Sequence, residues 1–294
     1  MRGADYAKLR LSAHRSRSHA MTTTGVHVTA DGLVDLRLHN ELAKRLKLHC
    51  PYDHLFWTQE GHDLACMAIQ LDPVFAQHNL TRYKWFSGQM AKAAASLDQI
   101  LILGAGFDTR SLTLPRVAAG KLQVFEVDFA DKLAQKQDVL RRAGVALPPA
   151  LHFVGADLGD PALLSHLEAA GYRPDRPAAI FMEGVLFFLP REGVHGLLDP
   201  ARFKRAAGSF LFLDFWSRSR QVALNDKLRQ RGAPALFGES PLGETAAEAE
   251  RHVGAHGYGH VRITSLPQLV RSFEAGNIAD PLGDSWHVLE AVWP

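Results

Sequence analysis

Cysteine is nearly missing from this chain. Only Cys50 and Cys66 occur in 294 residues, too few for a disulfide scaffold or a cysteine-rich zinc site. A reduced, cytoplasmic compartment is the expectation. Long apolar runs are missing too. No window approaches the ~18 uninterrupted apolar residues of a spanning helix, so neither a transmembrane helix nor a membrane partner is expected. Charge of one sign is scarce: 33 Lys+Arg against 31 Asp+Glu leave a net +2. Nucleic-acid binders usually carry a larger basic excess or a basic stripe, so no nucleic-acid partner is expected. Internal repeats and low-complexity linkers are absent. What is there is ordinary: 47% hydrophobic and 22% charged residues, the balance of a globular chain rather than a disordered one.

The first twenty residues stand apart. Arg2, Lys8, Arg10, Arg15 and Arg17 face only Asp5, a local +4 that leaves −2 for the remainder. The stretch has no apolar segment of the secretory type. It reads as a disordered basic extension ahead of Met21, with a targeting or nucleic-acid-binding arm as the alternative.

Residues 34–97 read as helical, with Leu36, Leu38, Leu42, Leu46 and Leu48 in one run. A second run around Leu64–Leu71 is broken by Asp72-Pro73, and a third spans Arg82–Ala95. The pattern then changes to short apolar runs alternating with helical ones. Gln99–Leu103, Leu122–Val127, Leu151–Val154, Ala178–Met182 and Ser209–Asp214 read as buried strands. Leu133–Ala143, Pro161–Ala170 and Arg191–Ala207 read as the helices between them. Such alternation implies right-handed crossovers and a mostly parallel sheet covered on both faces, an α/β Rossmann-like fold. Beyond Trp216 the signal weakens. Gln221–Gln230 and Glu244–His256 read as helices, His260–Thr264 and Trp286–Val292 as late strands.

The most informative segment is Leu103-Gly-Ala-Gly-Phe-Asp-Thr-Arg110. Glycines after a buried strand let the backbone approach a ligand, and ligands of such sheets bind outside the carboxyl ends of the strands. Asp128 ends the second strand, 24 residues beyond Gly104, where a carboxylate can accept from both hydroxyls of a ribose; capping the next helix is its alternative role. Glu126 points the same way, or pairs with a neighbouring base. A dinucleotide loop wants glycine at its sixth position, and this one has Thr109. An adenosine ligand without phosphate fits better, and S-adenosylmethionine is the commonest. Asp157 and Leu158 follow the third strand and suit an adenine amino group and ring, an ordinary loop acid being the alternative. Glu183 ends the fourth strand amid apolar neighbours. It needs a cationic partner, either the ammonium or sulfonium of the cofactor or a local arginine.

Together, Leu-Gly-Ala-Gly-Phe-Asp-Thr-Arg (103–110), Phe-Glu-Val-Asp-Phe (125–129), Gly-Ala-Asp-Leu (155–158) and Met-Glu-Gly-Val-Leu-Phe-Phe-Leu-Pro (182–190) resemble the leucine carboxyl methyltransferase family. That family includes protein phosphatase methyltransferases and bacterial tetracenomycin-type polyketide carboxyl O-methyltransferases. The resemblance covers roughly residues 80–215. It implies a class I S-adenosylmethionine-dependent methyltransferase with a seven-stranded sheet. It also implies a cofactor site of Gly104, Asp128, Asp157, Leu158, Glu183 and Arg82, the last holding the methionine carboxylate through its guanidinium fork. Lys84 competes with Arg82, and Lys44 and Lys47 lie where the phosphatase enzymes use a lysine. Residues 1–80 and 216–294 carry no specific match, so a phosphatase substrate is not implied.

On this reading residues 21–294 form one domain: a helical cap (21–97), a cofactor-binding core (98–215) and a substrate-shaping C-terminal part (216–294). The expected reaction is O-methylation of a small molecule, most simply a carboxylate, which is already anionic at neutral pH and needs no general base. A hydroxyl or nitrogen acceptor would benefit from one; a non-catalytic cofactor-binding protein is the third possibility. Trp216, Phe187 and Phe188 are candidates for the acceptor pocket. His195 reads as a surface residue. His252, His256 and His260 recur every four residues, but Gly254, Gly257 and Gly259 break a helical face, so no metal site is expected.

Overall fold

The computed structural model describes residues 32–48, 50–203, 206–238 and 242–294. The basic extension 1–20 lies outside them. A seven-stranded sheet runs through the molecule in the order β3-β2-β1-β4-β5-β7-β6. The strands are β1 (Gln99–Leu103), β2 (Gln123–Asp128), β3 (Leu151–Gly155), β4 (Ala179–Met182), β5 (Phe210–Trp216), β6 (Gly259–Ser265) and β7 (Trp286–Val292). The pairings from β3 through β5 are parallel, and β7 runs antiparallel to both β5 and β6. The chain order reverses between β1 and β4, so the crevice of a doubly wound sheet opens beyond their carboxyl ends.

Alternate residues of each strand feed opposite cores. Leu101, Leu103, Phe125, Val127, Ile180 and Met182 face one side, with Val194, Leu197, Ala249 and Val253 of the covering helices Arg191–Leu198 and Ala246–Ala255. Ile100, Ile102, Val124, Ala179 and Phe181 face the other, with Phe86 and Met90 of the helix Phe75–Ser96 and Leu224 of the helix Arg218–Gln230. Burying strands on both faces explains why they read as unbroken apolar runs.

Several helical boundaries depart from the sequence reading, two of them by seven residues or more. The expected helix Arg191–Ala207 ends at Leu198, because Pro200 drives Asp199 into extended backbone (ψ 119°). A short 3₁₀ turn, Pro200–Arg202, follows, capped by the Asp199 side chain on the Ala201 N–H. The expected helix from Arg82 begins seven residues earlier, at Phe75. Its polar first turns are buried, with His78 edge-on to Trp286, which an apolar-period reading misses. A further short helix, Leu266–Ser272, has no counterpart in that reading; Pro267 stands in its first turn, and the Gln268 side chain accepts from the Ser265 N–H.

Candidate functional site

The tip of β1 turns sharply. Gly104 and Gly106 have φ of 72° and 46°, in the left-handed region open to glycine. A Cβ on Gly104 would lie 2.5 Å from Val185 Cγ2. The N–H groups of Gly104 and Ala105 donate to the Val127 carbonyl at 2.8 and 3.0 Å, which seats the turn on β2. Asp128 closes it from the end of β2. Its Oδ2 accepts from the Gly106 N–H at 2.7 Å and its Oδ1 from the Phe129 N–H at 2.8 Å. Each carboxylate oxygen has a second lone pair for a hydroxyl donor.

Below the turn, Glu126 takes the second of its two sequence readings. It is fully buried and accepts from Lys136 Nζ and Ser111 Oγ, both at 2.5 Å. Lys136 also donates to the Asp108 carbonyl, so one ammonium ties β2 to the loop. Burial raises the Glu126 carboxyl above its ordinary range, against the pull of Lys136. Thr109 turns inward, its Oγ1 2.5 Å from Cys50 Sγ.

Two guanidinium groups and three carboxylates fill the middle of the crevice. Arg110 donates to Asp108 Oδ2 and to Glu183 Oε2, both at 2.5 Å, and lies 4.3 Å over the Tyr83 ring. Arg82 donates to Asp214 Oδ2 at 3.0 Å, and its Nε stands 3.4 Å from Glu183 Oε1. Asp214 also accepts from the Gly184 N–H (2.6 Å) and from Trp286 Nε1 (3.0 Å). Burial would raise the Asp108 carboxyl, but Arg110 and then Lys136 outweigh it and hold it at about 2. At Asp214 burial wins, and the carboxyl sits above its ordinary value despite Arg82.

All of these groups except Asp214, which is fully buried behind them, face a cleft of about 210 Å³. Asp128, Phe129, Gly104–Asp108, Glu183 and Arg82 line it. Its lining also carries a large aromatic and apolar set: Phe187, Phe188, Trp216, Phe237 and Trp286, with Met67 and Leu71 of the helix Gln59–Leu71. Phe187 stacks on Trp216 with ring centroids 4.2 Å apart and planes 12° off parallel.

Of the residues singled out in the sequence, the fold brings Arg82, Gly104, Asp128 and Glu183 to one cleft. Asp157 and Leu158 are outside its lining. Asp157 is exposed and accepts from the Gly159 N–H at 2.7 Å, while Leu158 packs on the core and its carbonyl accepts from Arg202. Their segment nonetheless adjoins Asp128, whose carbonyl accepts from the Ala156 N–H at 2.9 Å. Lys84 does not line the cleft, and Lys44 is exposed and paired with Glu41. Arg110, Asp214 and Lys136 were missed. Arg110 stood in the loop motif, and Asp214 was visible as an acid at a strand end. Nothing local marked Lys136.

The strand order, with one antiparallel strand inserted next to the far edge, defines a Rossmann-like class I methyltransferase fold. A solved methyltransferase from Thermobifida fusca YX shares it, with a TM-score of 0.62 at 20% identity, covering 90% of this chain and 94% of that one. So does a duf574 family protein from Streptomyces avermitilis, with a TM-score of 0.59 at 19% identity, covering 89% and 100%. A relative from Mycolicibacterium vanbaalenii, named as an S-adenosyl-L-methionine-dependent methyltransferase, is 31% identical over 207 residues. The match covers 64% of this chain and 65% of the relative, so the chain spans just under two thirds of the length of the curated relatives it matches. The leucine carboxyl methyltransferase profile matches residues 26–201. The chain belongs to that family, whose cofactor is S-adenosylmethionine.

Proposed function

We propose that this protein is an S-adenosylmethionine-dependent O-methyltransferase that forms a methyl ester on a small-molecule carboxylate. The donor set suits the cofactor. Asp128 takes the ribose hydroxyls, the Gly104–Gly106 turn lets the nucleoside approach the backbone, and Asp157 with Leu158 takes the adenine edge from the rim. Arg82 holds the methionine carboxylate with guanidinium donors beyond those bound to Asp214, and Glu183 takes the ammonium. The cofactor, when bound, supplies a methyl group made electrophilic by its sulfonium.

The choice of acceptor rests on one observation. Among the described residues, no histidine lines the cleft, whereas Arg37, Arg82 and Arg110 do. Asp108 is held ionised far below neutrality. Tyr83 is pushed well above its ordinary value by burial, against the pull of Arg110 and Arg37. Neither Asp108 nor Tyr83 is poised near pH 7 to accept a proton, as a hydroxyl acceptor would want. A carboxylate arrives already deprotonated, so these residues need only orient it and exclude water. The aromatic lining of the cleft fits an apolar, flat body on that acid, and the helices before β1 with the segment after β5 shape it.

The test supplies methyl-labelled S-adenosylmethionine with matched panels of aromatic carboxylic acids and phenols. Label should enter the acids, and mild alkali should release it as methanol. Alkali-stable product from the phenols would reject the ester assignment.

A further inference from the structure

We infer that His195, His252 and His256 form a binding site for one divalent transition-metal ion of the zinc class, remote from the cleft. His195 lies on the helix Arg191–Leu198; His252 and His256 lie four residues apart at the end of the helix Ala246–Ala255. That spacing stacks two imidazoles on one helical face. Each of the three offers a ring nitrogen within 4.8 Å of the others. The ring centroids are 4.7, 5.7 and 5.4 Å apart, with planes inclined by 51°, 47° and 44°. The three rings are therefore not stacked face to face, and their ligand nitrogens are close enough together to share one ion. His260, the third member of the sequence series, has positive φ and is exposed, and is not in the cluster.

A second observation points to a ligand. His252 Nε2 is buried and has no hydrogen-bond partner among the described residues. A buried polar atom of this kind costs free energy unless something meets it. A metal ion supplies an acceptor for its lone pair. Zinc–nitrogen bonds of ~2.0–2.1 Å put tetrahedral donors roughly 3.4 Å apart, within reach of small side-chain rotations. Three neutral imidazoles select zinc, cobalt, nickel or copper over magnesium and calcium, which prefer oxygen. His195 and His256 line a shallow hollow with Asp199, whose carboxylate or a water can take the fourth position. Val194, Leu197 and Leu198 of one helix and Ala249 and Val253 of the other share one core, so the site is built without the metal. Bound metal would clip the helix Ala246–Ala255 to the helix after β4.

The experiment uses the full chain stripped with chelator. Co²⁺ is titrated while its visible ligand-field bands are followed, and Zn²⁺ is added in melting assays. One equivalent of Co²⁺ should bind with the intense bands of a four-coordinate site. Zn²⁺ at 100 times its Kd should raise Tm by about 5 °C. His195→Ala and His256→Gln should each weaken Co²⁺ binding at least tenfold, with the metal-free Tm and circular dichroism unchanged, and His260→Ala should do nothing. Full Co²⁺ affinity in either of the first two variants would assign the metal to other histidines and overturn the site. So would the absence of saturable binding by the unaltered chain.

Discussion

Two buried ion clusters flank the cleft, and they are assembled in opposite ways. The loop cluster is mostly local. Asp108 and Arg110 are two residues apart, Arg110 reaches Glu183 at the neighbouring strand tip, and the assembly faces the cleft. The second cluster is a lock. Arg220, on the helix Arg218–Gln230, donates to Asp72 at the end of the helix Gln59–Leu71, to Asp280 at 2.8 Å and to Ser285 at 3.0 Å. His78 Nδ1 lies 3.6 Å from Asp280, and Arg220 sits over the Trp286 ring at 5.2 Å. This cluster joins the helices before β1 to the segments after β5, and Arg220 is fully buried in it. One cluster prepares a site from residues the backbone already holds together. The other holds distant parts of the chain over that site.

The lock should therefore be the weak point of the fold and the loop the weak point of binding. Arg220→Ala leaves two buried carboxylates without their cation. It should cost about 3–5 kcal/mol of unfolding free energy in urea titration; a loss under about 1 kcal/mol would erase the contrast. Acid should separate the two regions next. Burial, only partly offset by Asp284, holds His287 down at about 4, and burial with Arg220 likewise lowers His78. A histidine kept neutral in this way contributes stability fully above its ordinary 6.5. That contribution is lost as pH falls from 6.5 toward 4, because the unfolded chain takes up the proton first. Asp108 follows the opposite rule. Its contribution is present above 3.8 and lost only as pH falls toward about 2. Stability should thus decline below pH 6.5 through these buried histidines, and His287→Phe, on β7 outside the lock, should remove roughly 2–3 kcal/mol of that decline between pH 7 and 4. An unchanged slope would place the acid-sensitive groups elsewhere. The smallest effect belongs to the loop. Asp128→Ala should weaken S-adenosylhomocysteine binding by about 1.5–2 kcal/mol, tenfold to thirtyfold by calorimetry, with a smaller loss of stability. Unchanged affinity would reject its role at the ribose.

How much of this could be read in advance varied by region. β1 falls where its apolar run predicted, because a strand covered on both faces leaves a continuous hydrophobic signature, and β7 falls where expected although His287 and Glu290 interrupt its run. Asp128 and Glu183 were legible because an acid at a strand end has few structural uses. The start of the helix at Phe75 was not, since Gln77 and His78 are polar yet buried against residues from beyond 270, and Asn79 is buried too. Leu198 ended its helix one residue before an Asp-Pro step that the periodicity reading overlooked. The histidine series misled in the same way: spacing joined His260 to His252 and His256, while the fold brought up His195, which is 57 residues before His252 in the chain.

The sequence alone determined the strand pattern, the glycine turn, the strand-end acids and hence the family, because each depends on interactions within a few residues or on the strict two-residue period of a strand. Tertiary structure alone decided which cations meet those acids, how the aromatic residues at 187, 216, 237 and 286 converge, and that Arg220 locks Asp72 to Asp280. The Arg220 contacts alone join residues 60 to 148 positions apart. No local periodicity encodes them, and only packing of the whole sheet and its covering helices brings the side chains within reach.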